Sequence, residues 1–386
     1  MGFLKTASTP PIEGAASAQA TARYAALQGR AFDAGHYSDF RAGLKLSAIG
    51  IGTFPGAATD AVDRSLADIV RKAVTGGINV IDTAVHYRYG RSMTAVGAGL
   101  RRAFADGVPR EAVWVIAKGG FVRFEGAVAD PAVFVREQVI EKGLARADEC
   151  AGAHVLSPAY LRAQLDESRV ALGLHTLDAF LVDQPEVQIG PYGKETVLRR
   201  LGAVFAMLEQ AVAEGVLRHY GLSTFEAFRV ATDDPHFLSL ASLVALAEKA
   251  AKGVFGSERN HHFAIVELPF NAVMLDGFTR FNQVTGDGRD DSTLQAALKL
   301  GIYTVASHGL FKGHLARNPL DILVQAMPRL ANDAQRALQF NRSTPGLGTT
   351  LVGMSTPGHL DDVLAVARAP MLTHAAYMAL YRRTEN

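Results

Sequence analysis

The stretch Gly77-Ile78-Asn79-Val80-Ile81-Asp82-Thr83-Ala84-Val85-His86-Tyr87 decides how this chain reads. A glycine pair, Gly76-Gly77, stops a helical pattern. A short apolar run follows and closes on a carboxylate, with a phenol five residues beyond it. A strand covered on both faces reads as a continuous apolar run, because neither side meets water. Residues 79–82 are one such run; the others are 47–53, 113–118, 177–183, 220–223, 263–267, 303–307 and 349–354.

Helical patterns fill the gaps. Val62, Leu66, Ile69 and Ala73 recur on one helix face, and Val197, Leu201, Val204, Leu208 and Ala211 repeat the rhythm before Gly215. Ser157-Pro158 and Thr356-Pro357 each offer a capping hydroxyl followed by proline at the first helical position. Eight strands alternating with about eight helices predict an α/β fold, a parallel (β/α)8 TIM barrel. The competitor is an open doubly wound sheet, but no G-x-G-x-x-G follows any of the strands.

Residues 1–40 are rich in Ala, Ser and Thr and read as an N-terminal arm, 41–370 as the barrel domain, and 371–386 as a C-terminal tail. A barrel of this kind needs about 250 residues. The surplus is assigned to loops at 121–156, 236–260 and 271–290, of which the first and third follow strands and overhang the C-terminal rim. The chain has 386 residues, 48% hydrophobic, with net charge +1 and no basic stripe, so nucleic acid is not an expected partner. One cysteine, Cys150, excludes an internal disulfide and fits a cytoplasmic setting. No apolar stretch is long enough to span a membrane, and no signal-peptide core is present. Met1-Gly2 with Thr6 matches a short myristoylation pattern that no basic patch supports.

In such barrels the side chains at the C-terminal strand ends face the active site. Those ends carry Asp82, Lys118, Asp183, Ser223, Glu267 and Ser307-His308. A lysine closing an apolar strand is costly unless it is paired or used. A phenol ionises near pH ~10, and an ammonium about 4 Å away contributes roughly 4 kcal/mol at an effective dielectric of 20, about three pKa units. Lys118 is therefore expected to tune Tyr87 by itself while Asp82 holds the lysine; Tyr89 is the rival phenol, and His86 is expected to point elsewhere. The acidic groups and His308 could also gather a divalent metal, but Lys118 among them would compete, and no metal is expected.

Gly50-Ile51-Gly52-Thr53 and the run from Gly77 to Tyr87 resemble the aldo-keto reductase family. So do Lys118-Gly119-Gly120, Tyr220-Gly221-Leu222-Ser223, Glu267-Leu268-Pro269-Phe270-Asn271 and Leu351-Val352-Gly353-Met354-Ser355, collinear from about residue 45 to 370. The resemblance implies a (β/α)8 barrel that transfers hydride from a nicotinamide cofactor, usually NADPH, to the carbonyl of a small molecule. Its catalytic tetrad would fall on Asp82, Tyr87, Lys118 and position 183, where Asp183 stands instead of His. A protonated Asp183 would resemble the branch with Glu at this position, which reduces conjugated enones.

The resemblance places the nicotinamide carboxamide at Ser223, with Thr224 for Asn and Glu267 for Gln, and Ser307 where a stacking Tyr is common. The phosphate and adenine segment falls on Gly353, Ser355, His359 and Asp362. NADPH is the expected cofactor, with NADH and a lost cofactor site as alternatives. The alternatives in function are a lyase or isomerase working through Tyr87, Lys118 and a carboxylate, and a catalytically silent binding protein. Oligomeric state has no readable signal.

Overall fold

The computed structural model describes residues 10–258, 261–286 and 288–381. The apolar runs become strands β1 (Ile49–Gly52), β2 (Val80–Asp82), β3 (Trp114–Gly119), β4 (Leu177–Asp183), β5 (Leu217–Ser223), β6 (Phe263–Pro269), β7 (Tyr303–Ser307) and β8 (Thr349–Gly353). Each pairs in parallel with the next, and β8 pairs with β1, closing the barrel. Among the described residues eight helices surround it: α1 (Asp60–Thr75), α2 (Arg91–Ala105), α3 (Pro158–Leu172), α4 (Lys194–Ala213), α5 (Leu240–Phe255), α6 (Thr293–Lys299), α7 (Asp333–Arg342) and α8 (Pro357–Arg368).

Period two along each strand sorts the side chains. Val115 and Ala117 face the helices, in the large core between the two layers. Trp114 and Ile116 face inward with Val80, Ala179, Leu181, Ile265, Tyr303, Val305 and Leu351, filling the barrel. Two residues further along each strand, the same parity places Asp82, Lys118, Asp183 and Glu267 on the next layer up. Gly221 lets β5 and β6 approach closely, since a Cβ there would lie 1.8 Å from the Ile265 carbonyl oxygen.

Segment 236–260 differs from its reading as a loop: it holds α5, capped by Ser239 and packed through Leu240, Leu243, Ala247, Ala250 and Ala251. Three of those five inward residues are alanines, which carry helix propensity but little hydrophobic signal. Segment 271–290 contains strand Phe281–Val284, paired with Asp290–Ser292, and segment 121–156 ends in a small hairpin of Cys150–Ala151 with His154–Val155.

Residues 10–40 pack beneath the barrel. Strand Tyr37–Phe40 forms a hairpin with Leu44–Ser47. Phe40 rises from it into the lower barrel mouth, 5.5 Å from the Trp114 ring and 5.0 Å from Tyr303. Helix Ala18–Gln28 buries Tyr24, whose hydroxyl donates to the Val74 carbonyl. Asp178 ties this layer to the strands: its carboxylate accepts from Ala16 N at 2.6 Å, the Arg110 guanidinium at 2.7 Å and Val115 N at 2.9 Å. At the other end, helix His374–Ala379 buries Tyr377 against Phe340. The myristoylation pattern lies outside the described residues.

Candidate active site

The chain leaves β2 through a turn that aims Tyr87 inward. Tyr87 N donates to the Ala84 carbonyl at 3.1 Å. Arg88, Tyr89 and Gly90 then follow with φ of 52°, 60° and 88°. Left-handed backbone costs a non-glycine residue about 1–2 kcal/mol, and the buried Arg88 guanidinium holds it. It donates to the Ala57 carbonyl at 2.8 and 3.0 Å and pairs with Asp63. The same turn throws Tyr89 outward, 44% exposed, so only Tyr87 faces the barrel axis.

Lys118 is the centre of the site and is 1% exposed. Its Nζ lies 2.8 Å from Asp82 Oδ2, 2.9 Å from Glu267 Oε1 and 3.1 Å from the Tyr87 hydroxyl. An ammonium has three N–H donors, and these contacts use all of them. Asp82 is fixed from its own backbone, where the Thr53 hydroxyl donates to its carbonyl at 2.9 Å. Ser223 Oγ donates to Glu267 Oε1 at 3.3 Å. Glu267, placed by resemblance at the carboxamide, thus has one oxygen committed to Lys118 and Ser223.

The electrostatics differ from the expectation that Lys118 alone acidifies Tyr87. Burial pushes the phenol well above its usual range; Lys118 pulls against this, while Asp82, Asp183 and Glu267 push further up. Burial is the main cause, and the carboxylates around the ammonium offset part of its pull on the phenol. Burial disfavours the charged amine, but the surrounding anions outweigh it and hold Lys118 above its usual range. Asp82, Glu267 and Asp183 are all raised, chiefly by burial and against the pull of Lys118.

Asp183 closes β4 beside this group. His154, on the hairpin of the 121–156 segment, reaches its backbone: Nε2 donates to the Asp183 carbonyl at 2.8 Å, and Gln188 Nε2 donates to His154 Nδ1 at 3.2 Å. Those partners fix the tautomer. Gly120 leaves the room, because a Cβ there would meet that carbonyl at 2.9 Å and His154 Nε2 at 3.0 Å. His86, expected to point elsewhere, faces Asp183 instead, with Nε2 3.9 Å from Oδ2. Its ring stands edge-on to Tyr87 at 4.8 Å and beside Phe121 at 5.4 Å.

The remaining expected positions line the rim from β5 to β8. Thr224 N donates to the Glu267 carbonyl at 2.9 Å, while Thr224 Oγ1 and Glu267 Oε2 are buried without a partner. Ser307 ends β7, its hydroxyl 3.4 Å from His308 Nδ1. Gly353 and Ser355 lead, exposed, into α8, where Ser355 N donates to His359 Nδ1 at 3.3 Å. Asp362 is turned away from this helix end and accepts from Asn332 and Gln335, both at 2.8 Å. Phe54, 63% exposed and edge-on to Tyr87 at 5.2 Å, and Phe225, edge-on to His308 at 5.5 Å, wall the opening. Among the described residues no cluster of His, Cys, Asp and Glu is arranged to hold a metal ion, and no helix is long and apolar enough to cross a membrane.

The Aldo/keto reductase family model matches residues 48–234. An aldo/keto reductase from Klebsiella pneumoniae, solved with NADP and acetate, superposes with a TM-score of 0.57 at 18% identity, covering 89% of this chain and 94% of that one. A thermostable aldo-keto reductase solved with the inhibitor epalrestat gives 0.59 at 17% identity, covering 89% and 98%. The holo form of an aldo-keto reductase from Bacillus halodurans gives 0.57 at 16% identity, covering 91% and 97%. At these identities the likeness to the solved structures is one of fold. No curated protein matches the sequence.

Proposed function

We propose that this chain, whose residues 48–234 match the Aldo/keto reductase family model, acts as an NAD(P)H-dependent oxidoreductase of that family and reduces the carbonyl of a small organic molecule with NADPH, Tyr87 giving the proton. One observation carries the reading: the Tyr87 hydroxyl 3.1 Å from a lysine that Asp82 holds at 2.8 Å. A bound NADPH would supply hydride to the carbonyl carbon. As the oxygen becomes an alkoxide, the Tyr87 O–H bond breaks and the proton moves to it, leaving a phenolate beside the Lys118 ammonium. An alkoxide is a stronger base than a phenolate, so the transfer runs downhill even from a phenol raised by burial. The raised phenol also stays protonated, and ready to give, through the neutral range.

The residues present suit the cofactor at both ends. Thr224 Oγ1 and Glu267 Oε2, buried and unpartnered, are spare groups for a carboxamide. The N-terminus of α8, with Ser355 and His359 exposed beside it, suits a phosphate. His359 favours NADPH over NADH. The half-buried Cys150, its thiol pushed up to about 11 mainly by burial, is inert and consistent with a cytoplasmic setting.

Reduction of a conjugated enone is the second reading, favoured by one observation. Asp183 is buried at the end of β4, and this burial holds its carboxyl above the usual range against the pull of Lys118 and of hydrogen bonds from Ser223 and Gln184, which suits a proton donor. Fluorescence titration with NADPH and NADH, together with turnover of Tyr87→Phe on aldehydes, ketones and enones, tests both. Expected are tight NADPH binding in both proteins and a kcat lower by about 10²–10⁴ in the variant. Tyr87-dependent activity without nucleotide binding would mean a lyase or isomerase; neither binding nor activity would mean a silent scaffold.

A further inference from the structure

His86 is a group the mechanism above leaves unused. Its Nε2 and Asp183 Oδ2 stand 3.9 Å apart. That is too long for a hydrogen bond, yet a single oxygen about 2.8 Å from each would fit between them, subtending an angle of roughly 90°. His86 borders the Tyr87 ring edge-on at 4.8 Å, and its side chain is 22% exposed while that of Asp183 is buried. Its other nitrogen, Nδ1, is buried without a partner. A buried N–H without an acceptor is rarer than a buried lone pair without a donor, so the proton belongs on Nε2, the atom that faces the gap. Burial, with Lys118 adding to it, lowers the imidazole to about 4, which keeps it neutral.

We propose that His86 is a catalytic residue: the carbonyl oxygen that receives the Tyr87 proton also accepts a hydrogen bond from His86 Nε2–H, in the gap that Asp183 closes on the far side. A neutral imidazole polarises the carbonyl without adding charge, and its N–H aims where negative charge develops, so it strengthens as the alkoxide forms. Asp183 delimits the site and, when protonated, donates to the same oxygen. No proton leaves His86 in this step, since Tyr87 supplies the one that is transferred. The inference rests on the carbonyl-reductase reading and assigns that reaction a donor from the turn after β2.

Steady-state reduction of a carbonyl panel with NADPH tests this on the full chain. His86→Phe keeps an aromatic ring against Tyr87 and Phe121 and removes the N–H along with the second ring nitrogen. It is expected to lower kcat/KM about 10²-fold, chiefly through kcat, with NADPH affinity within about twofold of the unmutated protein. Adding Asp183→His to that variant returns an imidazole to the other side of the gap and should recover about tenfold. His86→Gln, which keeps a side-chain N–H, should retain at least about a tenth of the activity. His86→Phe within about threefold of the unmutated protein overturns the proposal, as does His86→Gln falling as far as His86→Phe. An unmutated protein that neither binds NADPH nor reduces any carbonyl removes the underlying reading, and the proposal with it.

Discussion

Glu267 Oε1 lies 2.9 Å from the Lys118 ammonium, nearly as close as Asp82 at 2.8 Å, so one cation is shared by two carboxylates and a phenol. A second anion on the lysine weakens its pull on Tyr87 and makes the phenol a weaker acid than one beside a singly paired lysine. The chain thereby favours a fully protonated tyrosine over an acidic one.

Glu267→Gln removes one of the groups that raise Tyr87. The phenol should ionise at lower pH, and since the proposed mechanism needs its protonated form, kcat/KM should begin to fall at lower pH than in the unmutated protein. The displacement should be small, since Glu267 is the least of the three carboxylates acting on the phenol. Alkaline pH–rate profiles for the two proteins, measured side by side, check this; superimposable profiles count against it.

Lys118→Met leaves Asp82, Glu267 and Asp183 buried without their cation. The loss should be about 3–5 kcal/mol at neutral pH. Carboxyls whose folded pKa is raised contribute stability that is complete below the unfolded value and lost as pH rises through the folded one. These three are already raised with the lysine present, and removing it raises them further. The penalty should therefore shrink on acidification. Urea denaturation at about pH 5 and pH 8 reads this out, and an equal penalty at both would contradict it.

Asp178→Ala cuts the tie between the N-terminal layer and the strands, leaving the buried Arg110 guanidinium with carbonyl acceptors at Val113 and Thr176 but no counter-charge, and the Ala16 and Val115 amides without their acceptor. A cost of about 3–5 kcal/mol is expected. Arg110→Met combined with Asp178→Leu should regain at least half of it, since the uncompensated charge is gone. Equilibrium unfolding of the three proteins decides the point.

Gly358 has space for a side chain, since the atom nearest to an added Cβ would be Thr356 Oγ1 at 3.9 Å. Gly358→Asp should leave the melting temperature unchanged or slightly higher, as an acid in the first turn of α8 suits the helix dipole. It should weaken NADPH binding about tenfold and NADH binding less, because the extra phosphate is the group repelled. Equal weakening of both nucleotides would place the 2′-phosphate elsewhere.

Strand ends were legible because burial on both faces leaves a continuous apolar run, and β4 and β7 begin and end at the residues read for them. β5 starts earlier than its apolar run, since Arg218 and His219 interrupt it at the barrel's lower end. Lys118, Asp82 and Asp183 were legible because strand parity fixes which side chains face inward. Parity ends where the strand ends. The direction of His86 depends on a turn held by Arg88, Ala57 and Asp63, which no local pattern encodes. The Lys118–Glu267 pair is harder still, since it joins strands far apart in sequence across the barrel interior. A glutamate closing an apolar strand was its one visible signal.

The Phe40 hairpin gives the barrel a floor. With Phe40, Trp114 and Tyr303 packed together at that end, the buried ammonium and its carboxylates face the opposite rim, where Phe54 and His86 flank Tyr87. In the reductase proposed above, a bound substrate would cover that rim, and Tyr87 would regain its proton from the same side once product has left.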